Sequence, residues 1–297
     1  MGDLFIVALA GFLASMVDGA LGMGFGPTSS SILLTQGFAP AAVSTIVNLA
    51  KVATGLSAAA AHWRFHNIDR RLVLKLAIPG SLGALVGVTI LANVDGKQLK
   101  PILAALLLLV AIRILARFSN LPSRPASPDD DKLPAFDERG TTVTAAVGGV
   151  TNGLVGAWGP VVTPFLLHKG LAPRFAIGSV NTAEVAVAVV ASGSLLGSVG
   201  GAGVDVGIVL AMLTGGVIAS PIAAWSIRFM PARALGLAVA ALLLSTNTRE
   251  LANWAELGRS RWFAYAAIVL VTTVAALRPR LARIAEQRRI GVDPAAI

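Results

Sequence analysis

The segment from Ser15 to Gln36 reads SMVDGALGMGFGPTSSSILLTQ. Most of it is apolar enough for a lipid bilayer, yet it contains the acid Asp18, four glycines, Pro27 and the hydroxyl-bearing run 28–31. Non-helical backbone survives at membrane depth only where protein or a water-filled cavity satisfies its N–H and C=O groups. The segment therefore predicts the lining of a polar site inside a membrane.

The composition is that of an integral membrane protein. Of the 297 residues, 55% are hydrophobic and 13% are charged, and the mean hydropathy is +0.77, whereas soluble domains average about 25% charged residues. The absence of cysteine excludes disulfides and thiolate chemistry. A net charge of +9 could indicate nucleic-acid binding, but the Lys and Arg residues lie between apolar runs and in the C-terminal tail. Positive-inside topology explains that placement better.

Apolar runs near the roughly 20 residues needed to cross a bilayer predict an all-α, polytopic helical membrane protein. Two runs are interrupted by polar or helix-breaking residues, at 4–34 and 141–167. The others are Ala39–Ala61, Leu72–Leu91, Pro101–Ala116, Pro173–Leu196, Val206–Ile227, Ala234–Leu244 with its flanks, and Trp262–Leu277. The N-terminus lacks the basic region of a signal peptide, and we expect it to be retained.

Two polar segments divide the chain. Residues 117–140, with four prolines and an acidic run at 129–131, predict a flexible cytoplasmic linker, and residues 278–297 predict a basic cytoplasmic tail. We therefore expect a first transmembrane repeat at 1–116, a second at 141–245, and an extra terminal transmembrane helix at 246–277.

The two halves of the chain repeat at a constant offset of 133 residues. The matched patterns are GFGP against AWGP, and LLTQGFAP against LLHKGLAP. Such a repeat is common among transporters. The matched pairs are Pro27 and Pro160, Gly37 and Gly170, Pro40 and Pro173, Asn48 and Asn181, and Lys51 and Glu184.

Loop charges indicate that the repeats are inverted, because cytoplasmic loops carry the excess of Lys and Arg. In the first matched pair of loops, only the loop of the second repeat is basic. In the next pair, only the loop of the first repeat is basic, and in a third pair both loops are. The first two pairs are 36–39 with none against 168–174 with Lys169 and Arg174, and 62–71 with Arg64, Arg70 and Arg71 against 198–205 with none.

Inverted repeats constrain the two interrupted runs. If the linker before residue 141 and the basic loop after residue 167 are both cytoplasmic, the run 141–167 must enter and leave on one side. Its 27 residues are too few for two full spans. It is predicted to be a re-entrant pair of half-helices broken near 152–160, with 4–34 as its counterpart from the other face. The alternative is one long kinked span in each half, which would make the repeats parallel.

Three charges lie well inside the predicted spans: Asp18, Lys51 and Glu184. Each costs about 2.5–3.5 kcal/mol at a helix centre, so each should face a cavity or a partner. In an inverted fold, Lys51 and Glu184 would approach each other across the pseudo-two-fold axis. They either form a structural ion pair, or Lys51 anchors an anion while Glu184 or Asp18 carries a coupling proton. Asp18 could instead cap a half-helix near Gly22.

Half-helices that begin at Pro27 and Pro160 would point their positive dipole ends at the middle of the membrane, where an anion is favoured. Asn48 and Asn181 precede Lys51 and Glu184 by three residues and share their helix faces. These two amides either contact the substrate or brace the broken backbone.

These motifs resemble those of the sulfite exporter TauE/SafE family, also called the toluene sulfonate uptake permeases. The resemblance covers nearly the whole chain except the linker and tail, and it implies secondary transport of sulfur-containing anions such as sulfite and organosulfonates. The chain departs from the family pattern around Trp158, where a glycine-rich run is usual. The resemblance is carried by VDGALGMGFGP from Val17, LLTQGFAPAAVSTIVN from Leu33, PGSLGALVG from Pro79 and VTNGLVGAWGPVVTPFLLHKGLAPRFAIGSVNT from Val150.

We expect a secondary transporter that moves a small sulfur-containing anion by alternating access, coupled to protons or cations through Asp18 and Glu184. No catalytic residue, cofactor or metal is expected. The expected partners are a small anionic substrate and the lipid bilayer, not nucleic acid, and a homodimer is left open. The predicted substrate-binding residues are Gly24, Gly26, Thr28, Ser29, Ser30, Asn48, Lys51, Trp158, Gly159, Thr163 and Asn181.

The expected location is a bacterial cytoplasmic membrane, with the N-terminus outside and the C-terminal tail inside. Three alternatives stay open: a passive anion channel, a carrier of another small organic anion, and a membrane assembly or sensor subunit. An intramembrane enzyme is the weakest reading, because the sequence shows no pairing of a nucleophile with a base.

Overall fold

The computed structural model describes residues 2–21, 23–119, 136–199, 205–226 and 232–289. These residues form eleven α-helices and a short 3₁₀ turn, with no strand among them. The helices of the first half are α1 (Gly2–Leu21), α2 (Phe25–Thr35), α3 (Pro40–Arg64), α4 (Arg70–Asn93) and α5 (Gly96–Ser119). Those of the second half are α6 (Thr141–Val155), α7 (Gly159–His168), α8 (Pro173–Val199), α9 (Val206–Ser226), α10 (Ala232–Trp254) and α11 (Arg261–Arg289).

The predicted spans coincide with helices. Within the described ranges, α3, α4, α5, α8 and the segment 258–277 that includes the first part of α11 are long and apolar enough to cross a membrane. The runs predicted at 206–227 and 234–244 lie in α9 and α10, apart from residue 227, which lies outside the described residues. The protein is therefore an all-helical, multi-pass membrane protein.

Both interrupted runs are broken helices, as predicted. The first break separates α1 from α2, and the second separates α6 from α7 inside the predicted interval 152–160. Gly24 has φ 151° and Gly156 has φ 68°, which are backbone conformations that glycine adopts without steric cost. We call α1 with α2 the first broken segment, and α6 with α7 the second.

The second half-helix of each broken segment begins slightly before its proline. α2 begins at Phe25, two residues before the start predicted at Pro27, and α7 begins one residue before Pro160. Proline is tolerated in the first turn of a helix because the N–H that it lacks would have no helical partner there. The prolines thus lie inside the first turns.

The two ends of each broken segment lie close together. Ile6 and Val7 of α1 line the same cavity, of about 370 Å³, as residues 36–38 that follow α2. In the second segment, Asp137 just before α6 forms an ion pair of 2.6 Å with Lys169 just after α7. In each segment, residues before the first half-helix or in its first turns therefore lie near residues that follow the second half-helix.

The helices α3 and α8, which carry the matched positions Lys51 and Glu184, pack against each other. Lys51 of α3 lies 3.1 Å from Glu184 of α8. Beyond the end of α3, the N–H of Asp69 donates a 3.0 Å hydrogen bond to Ser179 Oγ, which lies earlier in α8. Around this pair, α1 packs along α9 and α6 packs along α4. Each half therefore contributes its first helix to a contact with the other half.

Ion pairs fix the chain just before α6. Asp137 pairs with Lys169, and Glu138 pairs with Lys75 at 2.5 Å and with Arg71 at 3.7 Å. The hydrogen bond from Lys169 holds the pKa of Asp137 below its ordinary value, and that from Lys75 does the same for Glu138. Both carboxylates are therefore ionised at neutral pH, and they tie α6 to the start of α4 and the end of α7.

Three predicted boundaries differ from the structure. α5 continues to Ser119, so the first residues assigned to the linker are helical, and residues 120–135, with the prolines and acidic run, lie outside the described residues. α10 continues to Trp254, past the expected end of the second repeat at 245. α11 continues to Arg289, so the first part of the expected tail extends the terminal helix, and 290–297 lie outside the described residues.

Candidate functional site

A narrow cavity lies where the two breaks meet. It is too narrow to hold a water-sized sphere, and it is bordered by the end of α1, the starts of α2 and α7, the second break, and one side chain each from α3 and α8. We call it the central cavity. Its lining residues are Asp18, Met23, Gly24, Phe25, Gly26, Pro27, Lys51, Gly156, Gly159, Pro160 and Glu184.

All three predicted intramembrane charges meet in this cavity. Lys51 Nζ lies 2.8 Å from Asp18 Oδ2 and 3.1 Å from Glu184 Oε2. Lys51 is 5% exposed and Glu184 is 4% exposed. The Phe25 ring centre lies 5.6 Å from Nζ, within range of a cation–π contact. The predicted approach of Lys51 to Glu184 is confirmed, and Asp18 joins them; we call the three residues the Lys51 triad.

The Lys51 triad sets two carboxylates against one ammonium. If all three groups are ionised, the triad carries a net charge of −1 in a buried site. Asp18 also accepts a 3.4 Å hydrogen bond from the Phe25 N–H, so it caps the start of α2 as well as pairing with Lys51. The predicted capping role is therefore seen at Phe25, three residues after the position near Gly22 expected for it.

Two helix starts face the central cavity. Gly26 lies in the first turn of α2, and Gly159 is the first residue of α7, and both border the cavity. The first N–H groups of a helix lack helical partners and carry partial positive charge, which favours an anion. The backbones also touch, because a Cβ built on Gly26 would lie 1.7 Å from the carbonyl oxygen of Gly156.

The predicted hydroxyl ligands lie behind the cavity wall. Thr28, Ser29 and Thr163 are fully buried, and their hydroxyl oxygens have no hydrogen-bond partner among the described residues. Ser30 differs, because its Oγ donates a 2.7 Å hydrogen bond to the Val155 carbonyl and so ties α2 to the end of α6. Unpaired buried hydroxyls are costly, but none of these three residues lines the central cavity. Their role as ligands therefore stays a prediction, and the hydroxyl of Ser30 is used in bracing.

Asn48 does not line the central cavity, because its amide is used in bracing. Its Nδ2 donates to the carbonyl oxygens of Ser44 and Asn152 at 2.9 and 3.3 Å, and its Oδ1 accepts a 2.7 Å bond from Asn152 Nδ2. Ser44 adds a 2.6 Å bond to the Gly153 carbonyl. These bonds satisfy backbone carbonyls at the end of α6, just before the second break, and support the bracing alternative for Asn48.

Asn181, at the equivalent position, has a different environment. It is 7% exposed, and its Oδ1 has no partner among the described residues. Trp158, predicted as a ligand, is fully buried, and its Nε1 donates a 3.1 Å hydrogen bond to the Val180 carbonyl. Trp158 thus fixes α8 next to Asn181, and of these two only Asn181 keeps a free polar atom.

Asn48→Ala is expected to lower the stability of the protein, whereas Asn181→Ala is expected to weaken anion binding. Loss of the Asn48 amide leaves buried carbonyls unpaired, so it should lower the free energy of unfolding by about 1–3 kcal/mol. Asn181→Ala removes an oxygen that is already unpaired, and should leave stability nearly unchanged while reducing the stabilisation by added anion. Melting temperatures in detergent, with and without methanesulfonate, measure both effects. The reverse pattern would contradict these assignments.

Sequence reasoning missed the lining residue Met23 and the bracing residue Asn152. The lining residues Phe25, Pro27, Gly156 and Pro160 lie in the ranges 24–31 and 156–163, where the sequence predicts backbone donors, whereas Met23 lies outside them. An apolar side chain such as Met23 carries no sign that it faces a ligand. Asn152 stands in the quoted motif VTNG, and an amide at the end of a glycine-rich helix is a signal for backbone bracing that could have been used.

Comparison with known proteins settles the family. The family described as "Sulfite exporter TauE/SafE" matches residues 7–249. The chain belongs to the TauE/SafE family. A relative in Bacillus subtilis (strain 168), named "Probable membrane transporter protein YtnM", is 36% identical over 282 residues, which cover 93% of this chain and 90% of the relative. No solved structure gives a significant match.

Membership of the TauE/SafE family makes the chain a membrane transporter of that type. The family match covers both breaks and every residue of the Lys51 triad; it begins within α1 and ends within α10. The linker, although it lies inside the matched range, is outside the described residues for most of its length. The central cavity therefore belongs to the part of the chain that the family shares.

Proposed function

We propose that this TauE/SafE protein carries a small sulfur-containing anion, such as sulfite or a sulfonate, across the cytoplasmic membrane by alternating access coupled to protons. The observation that carries the proposal is the central cavity, where Lys51 and two helix starts converge. A buried ammonium and free helical N–H groups are the donors that a sulfonate or sulfite group requires. The predicted ligands Gly24, Gly26 and Gly159 offer backbone at the same place.

The charge of the Lys51 triad supports proton coupling. An anion that enters the cavity adds negative charge to a site already holding two carboxylates against one lysine. Charge burial without compensation is strongly unfavourable. An anion that replaces Asp18 or Glu184 at Lys51 is therefore expected to bring a proton for the released carboxylate, so anion and proton move in the same direction.

The packing of the helices supports inverted repeats and alternating access. The Lys51–Glu184 and Asp69–Ser179 contacts favour antiparallel packing of α3 and α8, as a two-fold axis in the membrane plane requires. The paired ends of each broken segment support two re-entrant segments that enter from opposite faces. Such repeats can exchange conformations around a fixed central site. We place the N-terminus outside and the C-terminal tail in the cytoplasm of a bacterium, as loop charges predict.

Transport by purified protein in liposomes tests the proposal. With a medium more acidic than the vesicle interior, the wild type should accumulate methanesulfonate, which stays anionic across the pH range used, and sulfite. Glu184→Gln should keep anion exchange but lose most of the response to the pH gradient, whereas Glu256→Gln, at an exposed position, should behave as the wild type. Flux that neither saturates nor responds to the gradient would indicate a passive channel and contradict the proposal.

A further inference from the structure

Arg117, near the end of α5, is a half-buried cation outside the central cavity. Among the described residues it has no carboxylate partner; its contacts are a 3.6 Å bond from Nη1 to Met23 Sδ and the ring of its neighbour Phe118. By contrast, Lys51, Lys75 and Lys169 all pair with carboxylates. A thioether is a weak acceptor, so most of the five guanidinium N–H donors have no strong partner there.

Arg117 is separated from the central cavity by one side chain. Met23 is 1% exposed, lines the cavity together with Lys51 and Glu184, and also contacts Arg117 through its sulfur atom. Methionine is unbranched and flexible, so it can change rotamer with little strain. A movement of Met23 would join the guanidinium to the cavity.

We propose that Arg117 is a second anion-binding site, which holds the substrate oxyanion between the face that carries the linker and the central cavity. The guanidinium can bind two oxygens of a sulfonate or sulfite group at once. The Lys51 triad repels an anion until a proton arrives, so a cation at the approach that has no carboxylate partner among the described residues would raise the local anion concentration. The identity of the anion rests on the function proposed above. The headgroup of an anionic lipid offers the same chemistry, and the experiment separates the two.

Transport measured from each side of the membrane tests this site. Vesicles of both orientations should contain wild type, Arg117→Gln, Arg117→Lys, or Arg113→Gln, a control that removes an exposed arginine one turn earlier in α5. With methanesulfonate or sulfite supplied on the linker face, Arg117→Gln should raise the half-saturating concentration about tenfold, as loss of a charge-assisted hydrogen bond predicts. Arg117→Lys should recover part of the loss, and supply from the opposite face should show little change.

Several results would overturn the assignment. Equal behaviour of Arg117→Gln and Arg113→Gln, or an equal loss from both faces, would make Arg117 a structural residue. An effect seen with anionic lipid but lost in vesicles of phosphatidylcholine alone would assign Arg117 to a lipid headgroup. If Arg117→Gln does not fold, unchanged linker-face transport by folded Arg117→Lys counts against the two-oxygen contact. If the wild type transports neither methanesulfonate nor sulfite, the proposed function is contradicted. If Lys51 variants lose transport but Arg117 variants keep it, only the inference about Arg117 is contradicted.

Discussion

Lys51→Met is expected to abolish anion transport and to destabilise the protein strongly at neutral pH. The substitution removes the cation that Asp18 and Glu184 share among the described residues, and it leaves two carboxylates close to each other in a buried cavity. Removal of one partner from a buried ion pair costs about 3–5 kcal/mol. The melting temperature in detergent should therefore fall well below that of the wild type, and uptake of methanesulfonate into proteoliposomes should disappear.

A triple variant separates the loss of stability from the loss of transport. Lys51→Met combined with Asp18→Asn and Glu184→Gln leaves no charge in the triad, so most of the stability should return, whereas transport should not. Lys75→Met serves as the control, because Lys75 is 32% exposed and its pair with Glu138 contributes at most about 1 kcal/mol. Transport that persists in the folded triple variant would show that the anion does not depend on the Lys51 triad.

The Lys51–Glu184 contact could be predicted because two independent signals agree on it. The offset of 133 residues makes the two positions equivalent, and the cost of burying a charge in a membrane requires a partner for each. The two breaks were predictable for a similar reason, since glycine and proline interrupt apolar runs that are otherwise long enough to span. Helix breaks and the partners of buried charges can thus be predicted from a single sequence.

The partners of uncharged polar groups could not be predicted in the same way. Asn48 and Asn181 share the repeat, yet Asn48 is fully hydrogen-bonded and Asn181 keeps an unpaired oxygen. Helical spacing indicates the face on which a residue lies, but the neighbour on that face depends on how the two halves pack. For the same reason the contact of Arg117 with Met23 could not be predicted. A basic residue next to a polar linker is typical of a helix end that faces water.

Gly26→Ala is expected to prevent the two broken segments from meeting. Its Cβ would lie 1.7 Å from the carbonyl oxygen of Gly156, which is backbone and cannot move away by a change of rotamer. Overpacking of this kind costs about 1–3 kcal/mol or more, and here the displaced atoms are the walls of the central cavity. We expect a lower melting temperature, and loss of transport in whatever protein folds.

Gly193→Ala is the matched control. A Cβ on Gly193, within α8, would meet nothing within 4 Å, and alanine is favoured over glycine inside a helix by about 1 kcal/mol. This variant should therefore transport normally with an equal or higher melting temperature. If Gly26→Ala were equally well tolerated, the close contact between the two breaks would not be needed for function. The anion would then have to be held by side chains alone, because the helix starts reach Lys51 only while that contact holds them at the cavity.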